Sequence, residues 1–95
     1  MIELGLQQLN ALANLADELI LNDKRKQELA DFFKVHVSTS FFFENDMYEG
    51  YFYYILGNCS SELYKYHNET WYSQDLINTV SLYQKAVYFL KRAKG

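Results

Sequence analysis

Apolar residues recur at helical spacing along most of the chain. Ile2, Leu6, Leu9, Ala13, Ala16 and Ile20 follow one another in steps of four and three, which predicts one face of a helix over residues 2–21. Leu12, Leu15 and Leu19 widen that face, so this helix is expected to touch two neighbours, or one neighbour and a partner chain. Asn22-Asp23 offers a stop and a cap. A second helix, from about Lys24 to His36, carries Leu29, Ala30, Phe32 and Phe33, with Val37 just beyond. The connection between the two is so short that it predicts an antiparallel hairpin.

The segment from Val37 to Asn45 breaks the pattern. Its β-branched and hydroxyl residues disfavour helix, and an extra turn is expected around Phe41–Phe43. A third helix is placed from about residue 45 or 46 to Tyr66, with Ser40, Asn45 and Asp46 as candidate caps and Asp46/Glu49 at capping-box spacing. Its core face is Tyr48, Phe52, Ile55, Leu56, Cys59 and Leu63. A second face mixes Met47, Tyr51 and Tyr54 with Asn58, Ser61 and Glu62. Gly57 lies mid-helix, where it costs about 1 kcal/mol relative to alanine, and so predicts the close approach of another backbone. A polar loop over residues 67–73, anchored by Trp71, precedes a fourth helix from about Gln74 to Lys94, with Thr70 or Ser73 as its cap. Two stripes on that helix, Leu76/Val80/Tyr83/Val87/Leu90 and Leu82/Ala86/Phe89/Ala93, leave only Ser81, Lys85, Tyr88 and Arg92 for solvent. The fold class expected is therefore all-α, about four helices in two antiparallel hairpins (1–37 and 45–94), with no sheet. All of it forms a single domain over residues 1–95.

Composition narrows the function. The chain has 95 residues, no proline and four glycines, which agrees with long helices and few tight turns. Its hydrophobic content of 49% and aromatic content of 18% are too high for a disordered tail. A net charge of −3 argues against a broad nucleic-acid surface. Lys24-Arg25-Lys26 reads as a solvated helix start, flanked as it is by Asp23, Glu28 and Asp31. A single cysteine cannot form an internal disulfide, and Cys59 falls on the apolar face. A buried thiol in a reducing, cytoplasmic setting is expected. Residues 1–22 fit neither a signal peptide nor a membrane span.

Residues 48–93 resemble a tetratricopeptide repeat. Leu56-Gly57 with Asn58 looks like the leucine-glycine of the family's first helix, and Tyr53 stands where the family prefers tryptophan or another aromatic. Tyr83 and Ala86 are similar to the aromatic and alanine of its second helix, and Thr79 takes the place of another small residue. Two features depart from the pattern: the stretch around Trp71 is longer than the family's usual loop, and Ser60 replaces a tyrosine. The runs YFYYILGN and LYQKAVYFLKRA also resemble the N-terminal helical region of bacterial proteins that carry a C-terminal HEPN-type RNase domain, although that domain's arginine-then-histidine motif is absent here. The resemblance implies a groove that holds a peptide, with Tyr51, Tyr54, Asn58, Ser61 and Glu62 at the groove positions. Tyr54 stands where carboxylate-binding members have lysine, which argues against a carboxylate clamp.

Catalytic and metal chemistry find no foothold. His36, Cys59 and His67 are scattered rather than spaced as ligands, and no nucleophile has a base within reach, so neither an enzyme, a metal nor a cofactor is expected. The surplus of apolar surface is the informative feature. Phe41, Phe42 and Phe43 cannot all face one core, and exposed aromatic surface marks interaction sites. The expectation is a non-catalytic interaction module. It would associate with itself, as a homo-oligomer, or dock on a protein partner through Phe41, Phe42, Phe43, Tyr51, Tyr54, Asn58 and Trp71. The alternative is a small regulator, of phage anti-defence or toxin–antitoxin type, that binds one larger enzyme.

Overall fold

The computed structural model describes residues 2–67 and 74–94. Among them lie four helices: α1 (Leu6–Leu21), α2 (Lys26–Ser38), α3 (Asp46–His67) and α4 (Gln74–Lys94). The expectation of no sheet is corrected. Ile2–Leu4 (β1) and Phe41–Phe43 (β2) form a parallel pair, with Ile2 beside Phe41, Glu3 beside Phe42 and Leu4 beside Phe43. Parallel strands need a long crossover, and α1 and α2 supply it. Strand geometry then sorts the side chains by alternation. Leu4 is buried and Phe41 and Phe43 half-buried, while Glu3 and Phe42 are exposed. The phenylalanine triplet is thus extended rather than helical, and its middle member turns away from its neighbours. Ile2 fits the helical spacing of α1 only by coincidence, because the helix begins after Gly5. The Gly5 N–H donates to Gln8 Oε1 at 3.1 Å.

Between α1 and α2, Asn22 is the residue that caps: its Oδ1 accepts from the Lys24 N–H at 2.9 Å and opens a 3-10 turn over Asp23–Arg25. The basic cluster then splits. Arg25 forms an exposed pair with Glu28 at 2.8 Å, but Lys26 is 3% exposed, so its reading as a solvated residue is overturned. Its Nζ donates to the carbonyl oxygens of Leu19 and Ile20 at the end of α1, and stands 3.4 Å from the Glu62 carboxylate on α3. A cation at a helix C-terminus satisfies carbonyls that have no partner within the helix. One lysine therefore ties three helices together.

The core is where these helices meet α3. Leu9, Ala16 and Leu19 of α1, Leu29, Phe32 and Phe33 of α2, and Phe52, Ile55, Leu56, Cys59 and Leu63 of α3 are buried together. Asn45 caps α3 by accepting from the Tyr48 N–H at 2.9 Å. Asp46 instead pairs with Arg92 of α4 at 3.3 Å, and Glu49 accepts from the Tyr53 hydroxyl at 3.3 Å.

Helix α4 packs almost wholly on α3. Contacts descend along α4 as they ascend along α3: Asp46 with Arg92, Tyr53 with Phe89, Asn58 with Tyr83, Ser60 with Thr79, His67 with Asp75. The buried residues of α4 are Thr79, Leu82 and Ala86. The other stripe expected in the core is partly open, with Val80 49% and Val87 50% exposed. Tyr83 and Leu90 of that stripe do reach α3, at Gly57 and Gly50, so only its Val80/Val87 part stands open.

Glycine permits the close approach. A Cβ on Gly57 would lie 2.6 Å from the Tyr83 ring, so what approaches at Gly57 is an aromatic side chain. Backbone approaches one heptad earlier: a Cβ on Gly50 would lie 3.2 Å from the Ala86 carbonyl oxygen and 2.8 Å from Leu90. Gly57→Ala sets about 1 kcal/mol of helix propensity against about 1–3 kcal/mol of overpacking. Tyr83 must also give up the hydrogen bond from its hydroxyl to Asn58 Oδ1, 2.5 Å long. The expected outcome is a net loss, read as a thermal midpoint lower by several degrees. A midpoint at or above that of the parent would mean that the ring moves freely.

Candidate functional site

Helix α3 carries two side-chain surfaces that matter outside the core. The first is the stripe Met47, Tyr51, Tyr54, Asn58, Ser61 and Lys65, spaced by fours and threes. Three adjoining cavities follow it. At one end Leu6, Met47, Tyr48, Tyr51, Tyr54 and Leu90 enclose about 400 Å³. In the middle, Ala13, Asp17, Tyr51, Tyr54 and Asn58 border about 170 Å³. At the far end Asp17, Ile20, Asn58, Glu62, Lys65 and Tyr83 border about 360 Å³. Tyr51 and Tyr54 are shared by the first two, and Asp17 and Asn58 by the last two. The cavities therefore lie side by side in a row along α3, together called the channel. Its floor is α3, with α1 along one wall and Tyr83 and Leu90 of α4 along the other. From Met47 to Lys65 the helical rise gives it a length of about 27 Å.

The channel changes character along its length. The Met47 end is lined only by apolar and aromatic residues from three helices. The Lys65 end is polar. Hydrogen bonds hold the middle in place: the Tyr51 hydroxyl donates to Asn10 Oδ1 at 3.1 Å, and the Tyr83 hydroxyl donates to Asn58 Oδ1. Tyr54 is half exposed, with its ring centre 6.1 Å from that of Tyr83. Burial pushes the Tyr83 phenol up from its ordinary value, helped by nearby Tyr54 and Cys59.

Of the residues singled out in the sequence, Tyr51, Tyr54 and Asn58 therefore come together in this channel, with Ser61 and Glu62 beyond them. The phenylalanine triplet does not join them. Phe41 and Phe43 pack on Phe52, with ring centres 5.3 and 5.1 Å away, and Phe42 points outward at 52% exposure. Trp71 and the caps proposed at Thr70 and Ser73 lie outside the described residues, as does the loop after His67. The contributions of Leu6, Asp17, Ile20 and Leu90 were not foreseen. They come from other helices, and nothing in the periodicity of one helix states which faces of its neighbours lie beside it.

Cys59 is wholly buried, and desolvation, with Asp17 nearby, pushes its thiol up to about 12. Burial likewise raises the Tyr53 phenol, with the Glu49 carboxylate adding to the shift. A thiol in this position is a core residue rather than a nucleophile. At pH 8 the native protein is expected to resist a disulfide-exchange reagent and to react fully once unfolded. The sign of the pH effect follows from the raised values. The contribution of Cys59 is fully present below about pH 9, the ordinary thiol value, and is lost as pH rises toward 12. Denaturant melts should therefore show stability falling over that window, with a smaller fall in Cys59→Ala. Equal slopes in the two proteins would contradict the assignment.

Among the described residues, no group of three or more His, Cys, Asp or Glu side chains is placed to hold a metal, and no helix is long and apolar enough to cross a membrane. No family model, curated protein or solved structure matches the chain.

Proposed function

We propose that this chain is a non-catalytic protein-interaction module of tetratricopeptide-like build, which takes a segment of a protein partner, or of a second copy, along the α3 channel. The observation that carries this reading is the apolar end of the channel. Six apolar and aromatic side chains from three helices surround about 400 Å³ there, with Met47 57% and Tyr54 50% exposed. Aromatic residues of this kind in a shaped hollow serve as binding anchors. A length of about 27 Å suits roughly eight residues of extended chain at about 3.3 Å each.

The direction of the helix contacts supports the repeat-like part of the proposal. Along α1 and α3 neighbours ascend together, from Asn10 bonded to Tyr51 to Asp17 and Asn58 on the same cavities. Between α2 and α3 they run oppositely, Lys26 facing Glu62 while His36 and Phe52 line one cleft with Phe41 in ring contact with both. This is the order expected of two stacked antiparallel hairpins. The small residues of the resemblance lie where α3 meets α4: Gly57 against Tyr83, Thr79 donating to the Ser60 hydroxyl at 2.8 Å, and Ala86 buried. A reducing, cytoplasmic setting is part of the proposal, supported by the single buried thiol.

The test is association. Size-exclusion chromatography with light scattering, run over a hundredfold concentration range, should show a species above 11.3 kDa, either alone or with a captured protein. The double variant Met47→Glu/Tyr54→Glu should abolish it with no change in helical circular dichroism, because both side chains are already half in water. A parent protein that stays monomeric and captures nothing, or a double variant that associates as well as the parent, would remove the channel from consideration.

A further inference from the structure

The second surface of α3 lies on the side away from the channel and is not used by the reading above. There Tyr53 and Leu56 face a cleft of about 370 Å³ between the end of α2, strand β2 and α4. Its floor reaches the core itself, since Phe52, Leu56 and Leu82 are each at most 5% exposed. Its lining is rich in aromatic residues, with Phe41, Phe43 and Tyr53 each in ring contact with Phe52. Its mouth is polar, with His36, Thr39, Ser40 and Lys85. A hollow with an apolar floor and convergent polar groups at its mouth is one form of small-molecule site, and this volume falls within the usual range of about 300–1,000 Å³.

The chemistry of the mouth specifies the ligand class. Among the described residues no carboxylate lines the cleft, although Glu49 meets the Tyr53 hydroxyl at 3.3 Å, whereas two nitrogen groups from different helices do line it. The Lys85 ammonium lies 5.4 Å from the centre of the Tyr53 ring and has no carboxylate partner among the described residues. The His36 ring stacks with Phe41 at 6.0 Å and meets Phe32 at 4.3 Å with a tilt of 33°. His36 Nδ1 lies 2.7 Å from the Phe32 carbonyl oxygen, and a carbonyl only accepts, so Nδ1 carries a proton. Its Nε2 has no partner among the described residues. Thr39 commits its hydroxyl proton to the Val35 carbonyl at 2.7 Å. Ser40 does not, and keeps a donor available at the mouth.

We infer that this cleft binds a small aromatic acid, its flat ring system held among Phe41, Phe43 and Tyr53 above the Leu56–Leu82 floor, and its carboxylate met by Lys85, His36 and Ser40. A flat ring satisfies walls that offer aromatic faces. A carboxylate supplies the charge that the mouth lacks, and hydrogen bonds to charged groups are the stronger ones. The site does not depend on protein docking in the channel.

The test uses indole-3-acetate and naphthalene-2-carboxylate as probes, with indole and 2-naphthol as uncharged counterparts, titrated calorimetrically into the full chain. The acids should bind at least tenfold more tightly than the uncharged rings. Lys85→Gln should lose about tenfold in affinity for the acids and nothing for the uncharged rings, with an unaltered melting curve because Lys85 is exposed. His36→Gln should lose a similar factor. Ring-current shifts at the Leu56 and Leu82 methyl resonances locate the ligand without any variant. The inference is overturned if acid and uncharged ring bind alike, if no probe binds up to millimolar concentration, or if Lys85→Gln leaves acid affinity intact.

Discussion

Lys26→Met is expected to lower stability by about 2–3 kcal/mol, although methionine nearly matches the volume of the lysine stem. The ammonium group satisfies two carbonyls at the end of α1 and neutralises Glu62. Methionine keeps the packing and leaves all three oxygens without their donor. Because Lys26 is only 3% exposed, water cannot readily take its place. For a domain of this size the change corresponds to a fall in melting temperature of about 10 °C or more. Glu62→Gln should cost much less, on the order of 1 kcal/mol or below: the Glu62 side chain is 21% exposed and an amide oxygen still accepts. Thermal melts of the three proteins decide the matter. If Lys26→Met melted with the parent, the lysine would be an incidental neighbour of those carbonyls and not what joins α1, α2 and α3.

The second large effect is expected at Leu56, on the face of α3 that α2 and α4 share. Leu56→Ala should cost about 3–4 kcal/mol, the sum of lost apolar burial and the cavity left behind, since Leu56 is 1% exposed. Val80→Ala and Val87→Ala make the comparison sharp. Both positions follow the helical repeat of α4 as regularly as Leu82 does, yet both are half exposed, and each should change stability by less than about 0.5 kcal/mol in the free protein. Chemical denaturation of the three variants measures the difference directly. Comparable losses at Leu56 and at the two valines would mean that the outer flank of α4 is covered in solution, by association through that face.

Much of this architecture could be read from spacing. A stripe repeating every three or four residues has only one regular conformation that gathers it, so the four helices and most of their core residues followed from Leu9, Ala16, Leu29, Phe52, Leu56 and Leu63. The channel floor was legible for the same reason, because Met47, Tyr51, Tyr54 and Asn58 share a face of α3 whatever surrounds it. The short strands were not. Three residues are too few to display a two-residue period, and β1 and β2 exist only because α1 and α2 return the chain beside its own beginning.

Periodicity is a property of one helix, and a neighbour is a property of two. The order of residues was enough to say that α4 has two apolar stripes. Only packing sorted their members: Leu82 and Ala86 are buried, Tyr83 and Leu90 of the other stripe lie over Gly57 and Gly50 of α3, and Val80 and Val87 are left half exposed. Lys26 shows the same division. Its charge marks it for water in isolation, and it becomes a core residue once the end of α1 and Glu62 of α3 surround it with oxygen atoms. Local propensity acts over a turn or two of chain, whereas burial depends on what distant segments bring to the same place. The helices were therefore written along the chain, and the channel walls, the cleft and the buried lysine arose when those helices met.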